Sequence, residues 1–296
     1  MKIEFEVLID DTFTVGLNAF PVTARLSFLN GFESGKWRYE LFEDFLWNNI
    51  SETALSIAER ELLQSQPMTA LKRAAKNLRM SEDKKGGEIG EILLYGLLKK
   101  HFGALPVVPK VFYKQNTQDY AKGADSVHIV VDKKGDFSLW LGEAKFYDGL
   151  TKNCIDKIVA SLKATLSDEK LRKEFTIVTS LHELDKVCSA DVAKRVRETL
   201  GRGISLDEIK SHLHVPILVL YECSQTATES ILNDDYKLRV KSEQEGYISR
   251  YLSQQHQELS SLFCYQDITF HVILFPVPSK STVLDAFINK AEHLRA

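Results

Sequence analysis

The chain has 296 residues, of which 44% are hydrophobic, so it is long enough to bury a full core as one large domain or two smaller ones. It contains no run of about 18 apolar residues, and the sequence therefore predicts no membrane-spanning helix. The formal net charge of −3 argues against a protein that binds DNA tightly by itself, because such proteins are generally basic.

The cysteines and the first residues of the chain indicate the compartment. Four cysteines lie more than thirty residues apart without a Cys-x-x-Cys pair, which predicts reduced thiols and no zinc site. The first ten residues mix charged with apolar side chains, unlike a signal peptide. We therefore expect a cytoplasmic protein.

Residues 1–84 are predicted to form an N-terminal region of strands and helices. Residues Ile3–Leu8 alternate between apolar and polar side chains as in a strand, and Val22–Phe28 is expected to pair with them. A long helical pattern extends over Trp37–Gln64. A basic helix is predicted at Thr69–Met80, and its charges either face solvent or contact phosphates or a partner.

Residues 85–296 form the second predicted region, which begins with a helix from Gly86 to about Phe102. Glu88 and Glu91 are three residues apart and therefore lie on the same side of this helix. Acidic residues in a first turn ordinarily interact with the helix dipole. The alternative is that one of them, preferably Glu91, faces the hairpin that follows in the sequence.

That hairpin is the most informative segment of the sequence. Val127–Asp132 and Phe137–Ala144 are strand-like, and the loop Lys133–Gly135 between them places glycine at the left-handed position. Counting outward from a three-residue loop puts Asp125 opposite Glu143. A two-residue loop would instead place the Asp125 carboxylate on the other face of the sheet.

The hairpin thereby brings together two acids and one lysine. Because side chains alternate along a strand, Glu143 and Lys145 share a face, which Asp125 joins in the three-residue register. Two carboxylates are suitable ligands for Mg²⁺, and an adjacent ammonium group stabilises negative charge on a phosphate. The alternative interpretation is an edge hairpin with a surface Glu–Lys pair.

The rest of the chain indicates an α/β protein. Buried-type strands are predicted at Phe175–Thr179, Val215–Leu220 and Ile268–Phe275, with helices at 150–166, 192–200, 225–232, 243–262 and 281–294. No Gly-rich phosphate-binding loop is present, so ATP hydrolysis is not expected. Lysines 99, 100, 110, 114, 122, 133 and 134 cluster around the hairpin in the sequence and form either a local DNA groove or a solvated surface.

The acids and the lysine resemble the pattern of the PD-(D/E)xK nuclease superfamily. That pattern is a helix acid (Glu91, or Glu88), an acid on the second strand (Asp125), and an acid-x-lysine on the third (Glu143 and Lys145). Alanine stands where a proline usually precedes the first aspartate. The strings Gly-Gly-Glu-Ile-Gly-Glu-Ile-Leu-Leu, Lys-Gly-Ala-Asp and Gly-Glu-Ala-Lys-Phe-Tyr are also similar to the HamA family of Hachiman anti-phage systems and to its relative AbpA.

The resemblance implies a fold and a function. The implied fold is a PD-(D/E)xK restriction-endonuclease-like core, with a mixed central sheet flanked by helices and a helix-rich N-terminal region. The implied function is a DNA nuclease that uses Mg²⁺, or Mn²⁺ in its place, beside a superfamily 2 helicase of the HamB or AbpB type. Asp125, Glu143 and Glu91 would hold the metal and Lys145 would stabilise the transition state. The alternative is a catalytically inactive nuclease-fold subunit that binds and regulates a helicase.

Overall fold

The computed structural model describes residues 4–13, 21–79, 86–108, 111, 124–180, 184–201 and 203–296. Its central element is a seven-stranded sheet, and two further short strands form a separate hairpin. The strands are β1 (Glu6–Phe13), β2 (Thr23–Leu29), β3 (Phe32–Glu33), β4 (Lys36–Trp37), β5 (Leu105–Val108), β6 (Ser126–Val131), β7 (Phe137–Tyr147), β8 (Leu213–Glu222) and β9 (Thr269–Val277).

Helices connect these strands. They are α1 (Tyr39–Ala54), α2 (Ile57–Leu62), α3 (Pro67–Asn77), α4 (Gly87–Phe102), α5 (Lys152–Thr165), α6 (Asp168–Ser180), α7 (Leu184–Val187), α8 (Ala190–Thr199), α9 (Leu206–Lys210), α10 (Ser224–Thr228), α11 (Asp234–Leu259) and α12 (Lys280–Arg295). None of the helices in the described ranges is both long and apolar enough to cross a membrane.

The sheet is mixed. Its strand order is β1-β2-β9-β8-β7-β6-β5. The contacts from β2 through β9 and β8 to β7 are parallel, and both edges of the sheet are antiparallel. The parallel strands β8 and β9 are almost continuously buried, as expected for strands covered on both faces.

Helices cover both faces of the sheet with two hydrophobic clusters. Helices α1, α4 and α12 pack on one face, which also buries Ala144 and Leu218. Helices α5, α6, α8 and α11 pack on the other, against residues such as Leu141 and Val219. The predicted α/β class, with a mixed central sheet flanked by helices, is confirmed.

The N-terminal residues contribute to the same sheet and core. β1 pairs with β2 as predicted, in an antiparallel arrangement, and β2 lies parallel to β9. Phe45 of α1 belongs to the same buried cluster as Leu93 of α4. The predicted division between residues 84 and 85 stays a prediction, and the polar segment before it, residues 81–85, lies outside the described residues.

One predicted strand is wrong. Residues Phe175–Thr179 lie inside helix α6. Leu171, Phe175 and Val178 are all buried, and their spacing of four and then three residues is that of a helical stripe. A β-branched run was therefore a poor guide here, because the packing of one helical face overrides strand propensity.

The helical pattern over Trp37–Gln64 is interrupted. Helix α1 ends at Ala54, and Ser56 begins α2 with a capping box in which its hydroxyl and the Glu59 carboxylate each satisfy a backbone N–H. The predicted helix over 243–262 begins earlier than expected, at Asp234, because the Asn233 side chain accepts a hydrogen bond from the Tyr236 N–H at 2.7 Å.

Candidate metal and acid–lysine site

The β6–β7 hairpin has the predicted register. Asp132 N donates to the Asp136 carbonyl at 2.8 Å, and Gly135 adopts a left-handed φ of 84° in the loop between them. The ladder continues from Val131–Phe137 to Ser126–Gly142. The three-residue loop, on which the placement of Asp125 depends, is therefore confirmed.

Asp125 is fixed at the end of this ladder. Its backbone N–H donates to the Gly142 carbonyl at 2.7 Å, and its Oδ2 accepts the Ala144 N–H at 3.0 Å. A Cβ at Gly142 would lie 2.1 Å from the Ser126 hydroxyl oxygen, so only glycine leaves room for that side chain. The small residue before Glu143 thus serves the packing of the hairpin, and the Asp125 carboxylate is held against β7.

One lysine amine joins the two acids. Lys145 Nζ donates to Glu143 Oε1 and lies 3.6 Å from Asp125 Oδ2. The Lys145 side chain is 31% exposed, whereas those of Asp125 and Glu143 are 16% and 4% exposed. We call these three residues the acid–lysine cluster. The alternative of a surface Glu–Lys pair is wrong, because the glutamate is buried and the amine contacts both carboxylates.

Burial and charge act against each other in this cluster. Burial raises the pKa of Glu143, and the negative charge of Asp125 raises it further, while Lys145 and a hydrogen bond from Ser161 lower it. Burial disfavours the ammonium form of Lys145, but the charges of Asp125 and Glu143 outweigh burial and raise the pKa of Lys145. The lysine is therefore held firmly as a cation.

Ser161 is a site residue that sequence reasoning missed. It lies on α5, the helix that follows β7, and its hydroxyl donates to Glu143 Oε1 at 2.5 Å. A serine beside the buried helix positions Ile158 and Leu162 gives no chemical signal in the sequence, because its role depends on how α5 packs against β7.

The two candidate helix acids occupy different environments. Glu91 is 8% exposed and lines a small cleft together with Asp125, Ser126 and His128. Glu88 instead accepts the backbone N–H of Arg79. Of the two, the position of Glu91 beside Asp125 favours it as the helix acid.

The acids reach the site from different sides of the sheet. Ala144 faces α4 in one hydrophobic cluster, so the alternation of β7 points Glu143 and Lys145 to the opposite face, where Ser161 contacts Glu143. Within the described ranges, no three His, Cys, Asp or Glu side chains are grouped closely enough to hold a metal ion. The Lys145 amine contacts both Asp125 and Glu143, and Glu91 lines the same cleft as Asp125.

The lysine cluster in the sequence is dispersed in the structure. Lys99 pairs with Glu52 at 2.7 Å, and Lys100 pairs with Glu4 at 2.9 Å. Lys133 and Lys134 are exposed at the hairpin loop, and the eight residue steps of β7 from Phe137 to Lys145 separate that loop from the acids by roughly 27 Å. Positions 110, 114 and 122 lie outside the described residues. The choice between a local DNA groove and a solvated surface stays a prediction, and Lys133 and Lys134 lie far from the acids along the hairpin.

The basic helix keeps both of its interpretations. It is observed as α3, on which Lys72, Arg73 and Lys76 are exposed, and Arg73 forms an ion pair with Glu59 at 2.7 Å. It leads towards α4, because the backbone of Arg79 contacts Glu88 in the first turn of that helix.

The fold defines an α/β protein with a mixed central sheet flanked by helices, which is consistent with a nuclease-like core. The model of the HamA family matches residues 5–291, which is nearly the whole chain. The chain therefore belongs to the HamA family, a family of Hachiman-type antiviral defence subunits. A search of curated proteins found no match.

Proposed function

We propose that this protein is a divalent-metal-dependent DNA nuclease of the PD-(D/E)xK type, which acts in the cytoplasm beside a superfamily 2 helicase in anti-phage defence. One observation carries the proposal: the Lys145 amine contacts both Glu143 and Asp125. Two carboxylates and a lysine held at one point are the groups that phosphodiester hydrolysis requires. Membership of a family of defence subunits supports the biological setting.

The chemistry of the donors fits Mg²⁺, with Mn²⁺ as a substitute. Asp125 and Glu143 supply hard carboxylate oxygens, and Glu91, which shares a cleft with Asp125, would complete the metal shell. When bound, the metal would supply positive charge against a phosphodiester.

The residues of the chain would perform the remaining steps. Lys145 would stabilise the negative charge that develops on the phosphoryl oxygens, since its raised pKa keeps it cationic. The buried face around Glu143 would exclude bulk water from one side of the reacting phosphate. The overall charge of −3 leaves much of the affinity for DNA to the helicase partner.

The test is cleavage of supercoiled plasmid in Mg²⁺, with and without the helicase encoded beside it. We expect cleavage by the wild-type protein and none by Glu143→Gln or Lys145→Ala. The matched controls are Glu198→Gln and Lys163→Ala, which alter exposed members of surface ion pairs. Retained cleavage by both site variants would exclude the proposed mechanism.

A second function is favoured by one specific observation. The described residues contain no ready group of three metal ligands, and the two acids already share a lysine counter-ion. A catalytically inactive subunit that binds and regulates the helicase would have the same arrangement. Calorimetric titration with Mn²⁺ separates the two functions. A nuclease would bind Mn²⁺ through Asp125 and Glu143 and lose that binding when they are replaced, whereas a purely regulatory subunit would show no such binding.

A further inference from the structure

The Glu143 carboxylate is held asymmetrically. Both of its hydrogen-bond donors, Lys145 Nζ and Ser161 Oγ, bind the same oxygen, Oε1. Oε2 accepts no hydrogen bond from the part of the chain that the structure describes. One oxygen is therefore fixed by the protein, and the other keeps its lone pairs for another partner.

The position of Ser161 is fixed by packing. Its neighbours on α5, Ile158 and Leu162, are fully buried in the hydrophobic cluster on this face of the sheet. The N-terminus of the helix is capped by the Thr151 side chain. A hydroxyl on such a helix cannot follow the glutamate if the carboxylate rotates, so it selects one rotamer.

Lys145 alone would not select that rotamer. Its amine is also within 3.6 Å of Asp125 and donates to the Ala144 carbonyl at 3.3 Å, and its long side chain is flexible. When a divalent cation or a phosphate enters the site, the lysine is the donor that is free to move towards the phosphate. The serine hydroxyl then remains as the donor that keeps Oε1 in place.

We propose that Ser161 is a positioning residue that holds Glu143 Oε1 against α5 and leaves Oε2 to bind the divalent cation. This inference rests on the proposed nuclease function. A charge-assisted hydrogen bond to a buried carboxylate is among the stronger ones in proteins, and its loss converts to about a tenfold weaker affinity for the cation.

The experiment measures Mn²⁺ binding to the full-length protein by calorimetry in the absence of DNA. We expect Ser161→Ala to bind Mn²⁺ about tenfold more weakly, and Ser161→Thr, which keeps the hydroxyl, to bind within about twofold of the wild type. Ser249→Ala is the matched control, because Ser249 lies within helix α11 and its hydroxyl binds only the Glu245 carbonyl. Thermal unfolding of each variant verifies that the fold is kept.

Two results would overturn the inference. One is a Ser161→Ala protein that binds Mn²⁺ as tightly as the wild type, and the other is a threonine variant as weak as the alanine variant. If the wild-type protein binds no Mn²⁺, that result contradicts the proposed nuclease function and leaves the positioning role of Ser161 to a second experiment. Crystal structures without metal then decide the role of Ser161: a changed Glu143 rotamer in Ser161→Ala supports positioning, and an unchanged rotamer rejects it.

Discussion

The sheet holds buried polar groups on both of its faces beside β7, among them His271 on one face and Glu143 on the other. One face lowers the cost of burial by keeping its groups neutral, and the other by pairing its charges. On one face, Trp140 stacks on His214 and His271, and the two imidazoles meet at 2.9 Å. On the other face, Glu143 and Lys145 are charged and lie beside Asp125. The same strand thus supports a neutral cluster and a charged one.

The histidine cluster avoids charge. Burial lowers the pKa of His214 to about 4, and burial together with His214 lowers the pKa of His271 to about 3, so both rings are neutral near pH 7. A neutral ring can be packed like any aromatic side chain. The hydrogen-bond partner of His214 is therefore a second neutral histidine.

The acid–lysine cluster keeps its charges. A buried carboxylate that stays ionised is costly, and hydrophobic residues of the same volume would often stabilise a fold more. Retained charge at the end of a hairpin, beside a cleft, is typical of a functional site rather than of a packing solution. The comparison therefore predicts that changes on the charged face alter activity, and that changes on the neutral face alter only stability.

Loss of the lysine should give the largest effect. Lys145→Met removes the cation and leaves two neighbouring carboxylates, so we expect no DNA cleavage and a loss of about 2–3 kcal/mol in the free energy of unfolding at pH 7.5. The pKa of Glu143 is already raised by burial, so its carboxylate takes up a proton in the folded state as the pH falls. Because this protonation relieves the repulsion, the loss should shrink towards pH 5.

Urea unfolding of Lys145→Met and of the wild type at both pH values measures this difference. Lys163→Met is the control, since its exposed ion pair with Glu258 should contribute less than about 1 kcal/mol. An equal loss of stability at pH 7.5 and pH 5 would show that the lysine stem, and not its charge, stabilises the cluster.

Neutralising the glutamate should separate activity from stability. Glu143→Gln keeps the shape of the side chain but removes a buried charge, so we expect cleavage to fall by at least about 100-fold. The free energy of unfolding should stay within about 1 kcal/mol of the wild type, because Lys145 keeps Asp125 as a partner. Plasmid cleavage measures the loss of activity, and urea unfolding measures the free energy of unfolding. Glu198→Gln is the control for both measurements.

Glu143 is only 3% exposed, so truncation to alanine would leave a cavity and would mix a loss of packing with the loss of charge. Glutamine is the better probe of charge for this reason.

The neutral face should respond to acid. Because the pKa of His271 is lowered on folding, the unfolded chain binds more protons, and stability falls as the pH drops from about 6.5 towards 3. At pH 4.5 this one residue would cost about 2–3 kcal/mol relative to pH 7, taking an unfolded pKa of about 6.5.

Replacing His271 tests this expectation. His271→Asn should make the dependence of the free energy of unfolding on pH between 7 and 4.5 less steep, by about 2–3 kcal/mol over that range, while His214 and His128 keep their own contributions. His293→Asn, at an exposed position of α12, should leave the dependence unchanged. Plasmid cleavage at pH 7.5 should be within about threefold of the wild type for both variants. A severe loss of cleavage in His271→Asn would contradict the separation of the two faces.

The sequence predicted the charged face better than the neutral one, and the reason is geometric. The loop Lys133–Gly135 fixes the hairpin register locally, so the approach of Asp125 to Glu143 follows from counting residues. Contacts between elements that are distant in the sequence cannot be derived from residue spacing in this way. Ser161 on α5 and the pairing of His214 with His271 depend on how separate elements pack, and neither could be read from spacing.

The errors in secondary structure have the same origin. The apolar run at Phe175–Thr179 fits a strand locally, and only the packing of Leu171, Phe175 and Val178 on one side makes it a helix. The break between α1 and α2 differs, because it has a local signal in the sequence that the predicted continuous helix overlooked. Ser56 and Glu59 form the Ser-x-x-Glu pattern of a capping box.

The lysines at the hairpin loop should have the smallest effect. Lys133 and Lys134 are basic and exposed, but about 27 Å of strand separates them from the acid–lysine cluster. Replacing both with alanine should therefore change plasmid cleavage by less than about twofold at 100 mM salt. A drop of fivefold or more, with a weaker dependence on salt, would mean that bound DNA follows the hairpin for its whole length, because each lost phosphate contact reduces the salt dependence of binding.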